Sequence, residues 1–148
     1  MKLYRLVFFV LCIAGGLQAQ GLRVSAAHTK PNKPAAYKFE FRAENEIRPD
    51  AEIAIIFPRE FQLSTVIMAA SSKLKGGFTI NVRQDTVFLK RTGLGNSLPA
   101  NQNCDIIVAD VISPSNMETE YGFDLLIDKK KLTSNVNKSK NRVMRINK

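Results

Sequence analysis

Residues 36–42, Ala-Tyr-Lys-Phe-Glu-Phe-Arg, decide the fold class. Tyr37, Phe39 and Phe41 alternate with Lys38, Glu40 and Arg42, so one edge of the segment is aromatic and the other charged. A helix would scatter those rings around its circumference. An extended strand places successive side chains on opposite faces and gathers all three rings on one side. The segment therefore predicts a strand with one buried and one wet face.

The same period recurs outward in both directions. Upstream, residues 22–29 form a first candidate strand, and Lys30-Pro31-Asn32-Lys33-Pro34 breaks it, because proline fixes φ and donates no ladder hydrogen bond. Downstream, a polar turn over residues 44–50 leads into Ile53, Ile55 and Phe57, which alternate with Glu52, Ala54 and Ile56 until Pro58 stops the run. Phe61 and Leu63 read as core plugs in an irregular segment, and residues 66–72 as a further strand or a short helix. Gly76-Gly77 opens a hairpin, with Phe78, Ile80 and Val82 on one face, Gln84-Asp85 as the turn and residues 86–91 returning. Residues 92–102 are loop. Residues 104–112 are nearly all apolar, which predicts a strand covered on both sides, and residues 121–127 alternate again. A last short strand is expected over residues 142–146, after a polar hairpin. Seven to nine strands about ten residues apart favour an all-β, antiparallel two-sheet sandwich, with a closed barrel as the alternative.

The chain has 148 residues, 45% hydrophobic and 24% charged, with no Trp. This suits one globular domain and excludes collagen, coiled coil and wholesale disorder. Residues 1–19 have the pattern of an export signal: Lys2 and Arg5, an apolar run over residues 6–16, then Leu17-Gln18-Ala19. That run is shorter than the ~20 residues of a membrane-spanning helix. Phe9, Val10 and Leu11 ahead of Cys12 argue against lipoprotein processing. Residues 20–148 are then a single exported domain, destined for the periplasm, the cell surface or the medium. Its one remaining cysteine, Cys104, has no partner in the chain; a buried thiol and an intermolecular bridge are the two readings.

The net charge of +9 is unevenly placed. Residues 21–128 hold 12 Lys or Arg against 13 Asp or Glu, whereas residues 129–148 hold 8 basic residues and no acid. This basic end, expected to form a hairpin or edge strand, carries Lys129, Lys130, Lys131, Lys138, Lys140, Arg142 and Arg145, which are candidate contacts to an anionic partner. Export and the lack of interleaved aromatics exclude nucleic acid as that partner. Lysines on an exposed edge also deter unwanted strand pairing.

The quoted strand, together with Ala51-Glu52-Ile53-Ala54-Ile55-Ile56-Phe57-Pro58, Gly77-Phe78-Thr79-Ile80-Asn81-Val82 and Tyr121-Gly122-Phe123-Asp124-Leu125, resembles the immunoglobulin-like sandwich modules of exported and cell-surface proteins. The resemblance spans most of the mature chain and is architectural, since the paired cysteines and core Trp of antibody domains are missing. It implies a spacer, an adhesive unit or an assembly part, and fold alone does not fix function.

Reactive groups are sparse. His28 is the only imidazole, which is too few for blue copper with Cys104 and Met117, for zinc, or for a nucleophile with its base. Glu44, Glu46, Asp50, Glu118 and Glu120 fall in polar turns, and no Asp-x-Asp spacing suggests calcium. Gly93-Leu94-Gly95 opens no helix and is a turn rather than a phosphate cradle. Asn137-Lys138-Ser139 matches a glycosylation acceptor. The sequence thus predicts no catalytic residue, metal or cofactor. Expected instead is a non-enzymatic role in adhesion, scaffolding or assembly at the cell envelope, with a protein or envelope polymer as partner. A carbohydrate- or small-ligand-binding module is the alternative.

Overall fold

A computed structural model describes residues 21–27 and 29–132. Nine strands occur among them: β1 (Arg23–Ala27), β2 (Pro34–Arg42), β3 (Glu52–Ile56), β4 (Met68–Ala70), β5 (Phe78–Arg83), β6 (Thr86–Arg91), β7 (Asn103–Ile112), β8 (Asp124–Ile127) and β9 (Lys130–Lys131). They form two antiparallel sheets, β1-β2-β7-β4 and β5-β6-β3-β8-β9. Two open sheets face to face make a sandwich, so the closed-barrel alternative falls. No helix among the described residues is long and apolar enough to cross a membrane. The export signal of residues 1–19, His28, the strand expected at residues 142–146 and the glycosylation triplet lie outside the described residues.

The alternation in β2 works as read: Tyr37 and Phe39 are fully buried and Phe41 nearly so. Facing them from the second sheet are Ile53 and Ile55 of β3, Val87 and Leu89 of β6, and Leu125 of β8, all buried. Burial of such side chains contributes about 1.5–3 kcal/mol each. Phe61 and Leu63 plug the core without belonging to a strand. β5 is half-covered through Phe78, Ile80 and Val82, and it joins β6 by a two-residue turn in which Gln84 has φ 53°.

Several boundaries differ from expectation. β4 spans only Met68–Ala70 of the predicted 66–72, because Val66 turns inward on a hydrogen bond from its N–H to the Leu63 carbonyl. Tyr121 and Phe123 are core residues although β8 starts only at Asp124. β7 is not covered on both sides: Cys104, Ile106 and Val108 are buried, whereas Asp105, Ile107 and Ala109 lie half-exposed on the outer face. Near Asp110, at φ 61°, β7 carries one residue more than β2, and the pairing steps from Tyr37–Val108 to Ala35–Val111. That bulge resets the phase so that Val111 also points inward.

Candidate functional site

The wet face of β2 becomes the floor of a groove. Antiparallel register sets Arg23 of β1 opposite Glu40 of β2, and Glu40 opposite Asp105 of β7; one step along, Arg42 lies opposite Asn103. Ser72 and Lys73, which follow β4, and Asn101 and Gln102, which precede β7, border the row. The volume of this open groove is about 920 Å³. Because most of these groups stand on paired strands, their positions are held by backbone hydrogen bonds rather than by loop conformation.

Charges in the groove are only partly compensated. Lys38 Nζ donates to Glu40 Oε1 at 2.7 Å, and this contact raises the pKa of Lys38 above the ordinary lysine value. Asp105 accepts hydrogen bonds from the Ser72 hydroxyl at 2.5 Å and the Ser72 N–H at 3.2 Å. Arg42 Nε donates to the Asn101 carbonyl at 2.8 Å, which fixes its stem and leaves the fork of the guanidinium without a hydrogen-bond partner among the described residues. Among the described residues, no carboxylate lies within ion-pair distance of Arg23, Arg42 or Lys73. Four cations against two carboxylates make the groove positive.

Of the residues proposed as anion contacts, Lys129, Lys130 and Lys131 come together on the β8–β9 hairpin. Its turn uses Asp128 at φ 47° and Lys129 at φ 66°, the left-handed pair that a two-residue hairpin turn demands. Lys131 is tied to Asp124 at 2.9 Å. Lys138, Lys140, Arg142 and Arg145 lie outside the described residues. Cys104 is 3% exposed, and burial, then the nearby Asp105 charge, push its thiol up to about 12. The turn carboxylates Glu44, Glu46, Asp50, Glu118 and Glu120 are exposed. The described residues contain no group of three or more His, Cys, Asp or Glu able to hold a metal ion.

Two polar side chains escaped the sequence reading. Arg91, 2% exposed, donates from Nη1 to the carbonyls of Ile47 and Arg48 and from Nη2 to those of Lys75 and Asn96, at 2.7–3.1 Å. Its signal was available: Arg91 continues the inward phase of Val87 and Leu89. Tyr121 donates its hydroxyl to the Asn116 carbonyl at 2.6 Å, a tyrosine closing the corner into a strand, as sandwiches of this class do. The groove was missed as a site because Arg23, Lys73 and Asn101–Asn103 are each unremarkable surface residues until the register assembles them.

A crystal structure from Nocardia farcinica, an uncharacterized protein with an immunoglobulin-like fold, matches with a TM-score of 0.50 at 12% identity, over 84% of this chain and 95% of that one. This chain is an immunoglobulin-like β-sandwich. Looser overlaps reach a Vibrio harveyi GH20 exo-β-N-acetylglucosaminidase (TM-score 0.42, 12% identity, 76% of this chain) and a family 3b carbohydrate-binding module from Clostridium clariflavum (0.36, 12% identity, 76% of this chain and 94% of that one). The chain spans only 16% of the Vibrio enzyme. Neither overlap is close enough to bear on what this sandwich does. No family model matches the sequence, and no curated protein is similar to it.

Proposed function

We propose that the protein is an exported, non-enzymatic sandwich that works by surface recognition in adhesion, scaffolding or assembly at the cell envelope. The observation that carries this reading is the positive groove on the outer face of β1-β2-β7-β4, where Arg23 and Arg42 stand on paired strands with no carboxylate within ion-pair distance among the described residues. Binding energy comes from placed charges and amides, with no bond made or broken. The lysines of the β8–β9 hairpin add a second anion-attracting element on the other sheet. Such contacts weaken with salt, because screening acts over about 10 Å at 0.1 M ionic strength.

Co-sedimentation of the full chain with isolated envelopes of its source organism tests the reading. Salt-sensitive sedimentation that falls at least severalfold when Arg23 and Arg42 are both changed to Gln is expected. A chain that stays in the supernatant, or that pellets equally well with both arginines replaced, would sink it.

A further inference from the structure

Glu40 and Asp105 are the key to what the groove accepts. They lie side by side across β2 and β7, in line with Arg23, while Lys38 and Arg42 flank Glu40 along β2, so the floor sets two adjacent carboxylates among cations instead of presenting a uniform cationic surface. A ligand presenting nothing but anionic groups would meet both carboxylates and be repelled. A ligand that alternates carboxylates with hydroxyls would satisfy the whole row.

The groove also lies on the face of its sheet, not on an edge. Lys38 and Glu40 of β2 are paired on both sides, and Asn103–Asp105 of β7 are paired with β2, so an extended peptide laid across this face gains no strand pairing, which is the chief source of affinity for peptides on sheets. Recognition must run through side chains. The guanidinium of Arg42, held by Nε and unpartnered at its fork among the described residues, suits the planar two-point geometry of a carboxylate. Asn101, Gln102 and Asn103 supply three consecutive amides, each both donor and acceptor, as hydroxyl groups require. The volume of about 920 Å³ lies within the range of small-ligand sites.

We infer that the groove binds a short uronic-acid oligosaccharide, with Arg23 and Arg42 on its carboxylates and the amides, Glu40 and Asp105 on its hydroxyls. This rests on the reading of the groove as the binding surface and names its ligand class.

Calorimetric titration of the full chain with an oligogalacturonate, with its fully methyl-esterified form and with an oligoglutamate of equal charge tests it. Oligogalacturonate should bind, the ester and the oligoglutamate much more weakly. R42Q and R23Q should each weaken the oligogalacturonate about tenfold or more, the effect of losing one charged hydrogen-bonded contact. R59Q, an exposed arginine after β3 that lies outside the groove, should leave it unchanged, and all variants should keep the parent melting temperature. Equal binding of the ester overturns carboxylate recognition. Equal or tighter oligoglutamate binding makes an acidic peptide the occupant, and insensitivity to both arginine changes moves the site elsewhere. If oligogalacturonate does not bind while envelope sedimentation still depends on Arg23 and Arg42, the ligand class is wrong and the recognition role stands. If sedimentation is also indifferent to them, both fail.

Discussion

Beyond Phe57, at one end of β3, the sandwich is closed by six aromatic rings, whereas ahead of Ala51, at the other end, the closing group is a single guanidinium. Phe57 meets Tyr37, Phe39, Phe61 and Phe123 at centroid distances of 5.4–6.2 Å, mostly edge to face, and Tyr121 completes the set through Phe61. Arg91 instead satisfies carbonyls from three separate loops. The aromatic end is non-directional and redundant: a lost ring leaves a void that its neighbours can narrow. The arginine end is directional, and its loops come close because they converge on one cation. Gly76 and Gly95 show how close: a Cβ built on Gly76 would sit 2.0 Å from the Leu94 carbonyl oxygen, and one on Gly95 would sit 2.6 Å from that of Lys75.

The largest expected effect is at the aromatic end. Phe57→Ala removes the ring that touches four others and should cost about 3–5 kcal/mol in urea unfolding. Phe57→Leu, which keeps most of the volume, should recover more than half of that. If Phe57→Ala cost less than about 1 kcal/mol, the ring cluster would not be holding that end together, and the contrast would collapse.

Arg91→Met is the next test. The replacement has similar length but leaves the Lys75 and Asn96 carbonyls without their Nη2 donor, at about 1–3 kcal/mol per orphaned group. The Ile47 and Arg48 carbonyls keep backbone partners in the N–H groups of Leu98 and Ala51 and should suffer less. Because Lys75 and Asn96 lie in exposed loops where water serves the carbonyls in part, a total of about 2–4 kcal/mol, the lower part of that range for two groups, is expected, with hydrogen exchange rising first in the loops around Lys75 and Asn96 and not around Phe61. A variant as stable as the parent would show that those carbonyls are equally well served by water.

The same contrast explains what could be read from the chain beforehand. The aromatic end was legible because strand alternation is a local signal: Tyr37, Phe39 and Phe57 announce their faces within five residues. Tyr121 and Phe123 kept their inward phase even where β8 had not yet begun. The arginine end was not legible, since nothing near Arg91 in sequence says that residues 47, 48, 75 and 96 will meet there. The groove stayed hidden for the same reason: Arg23, Lys73 and Asn103 share a surface only through the β1-β2-β7 register and the return of β4 to β7. The extra residue in β7 has no sequence mark beyond Asp110, a residue type that tolerates φ > 0 better than most.

Cys104 gives the smallest and most selective probe. Its thiol lies under the groove and feels the Arg91 charge, yet burial dominates and holds its pKa near 12 against an ordinary value of 9.0. The neutral form is therefore favoured by folding. A raised value in the folded state means stability that is complete below pH 9 and is lost as the pH rises toward 12, because only the unfolded chain can ionise in that interval. By pH 10 the loss should be about 1 kcal/mol, and Cys104→Ala should fall less steeply than the parent between pH 8.5 and about 10.5. The difference between the two unfolding curves isolates the thiol from the tyrosines and lysines that titrate in the same range. Parallel curves would mean that the thiol ionises as readily folded as unfolded, and so that water reaches the arginine end far more freely than the aromatic one.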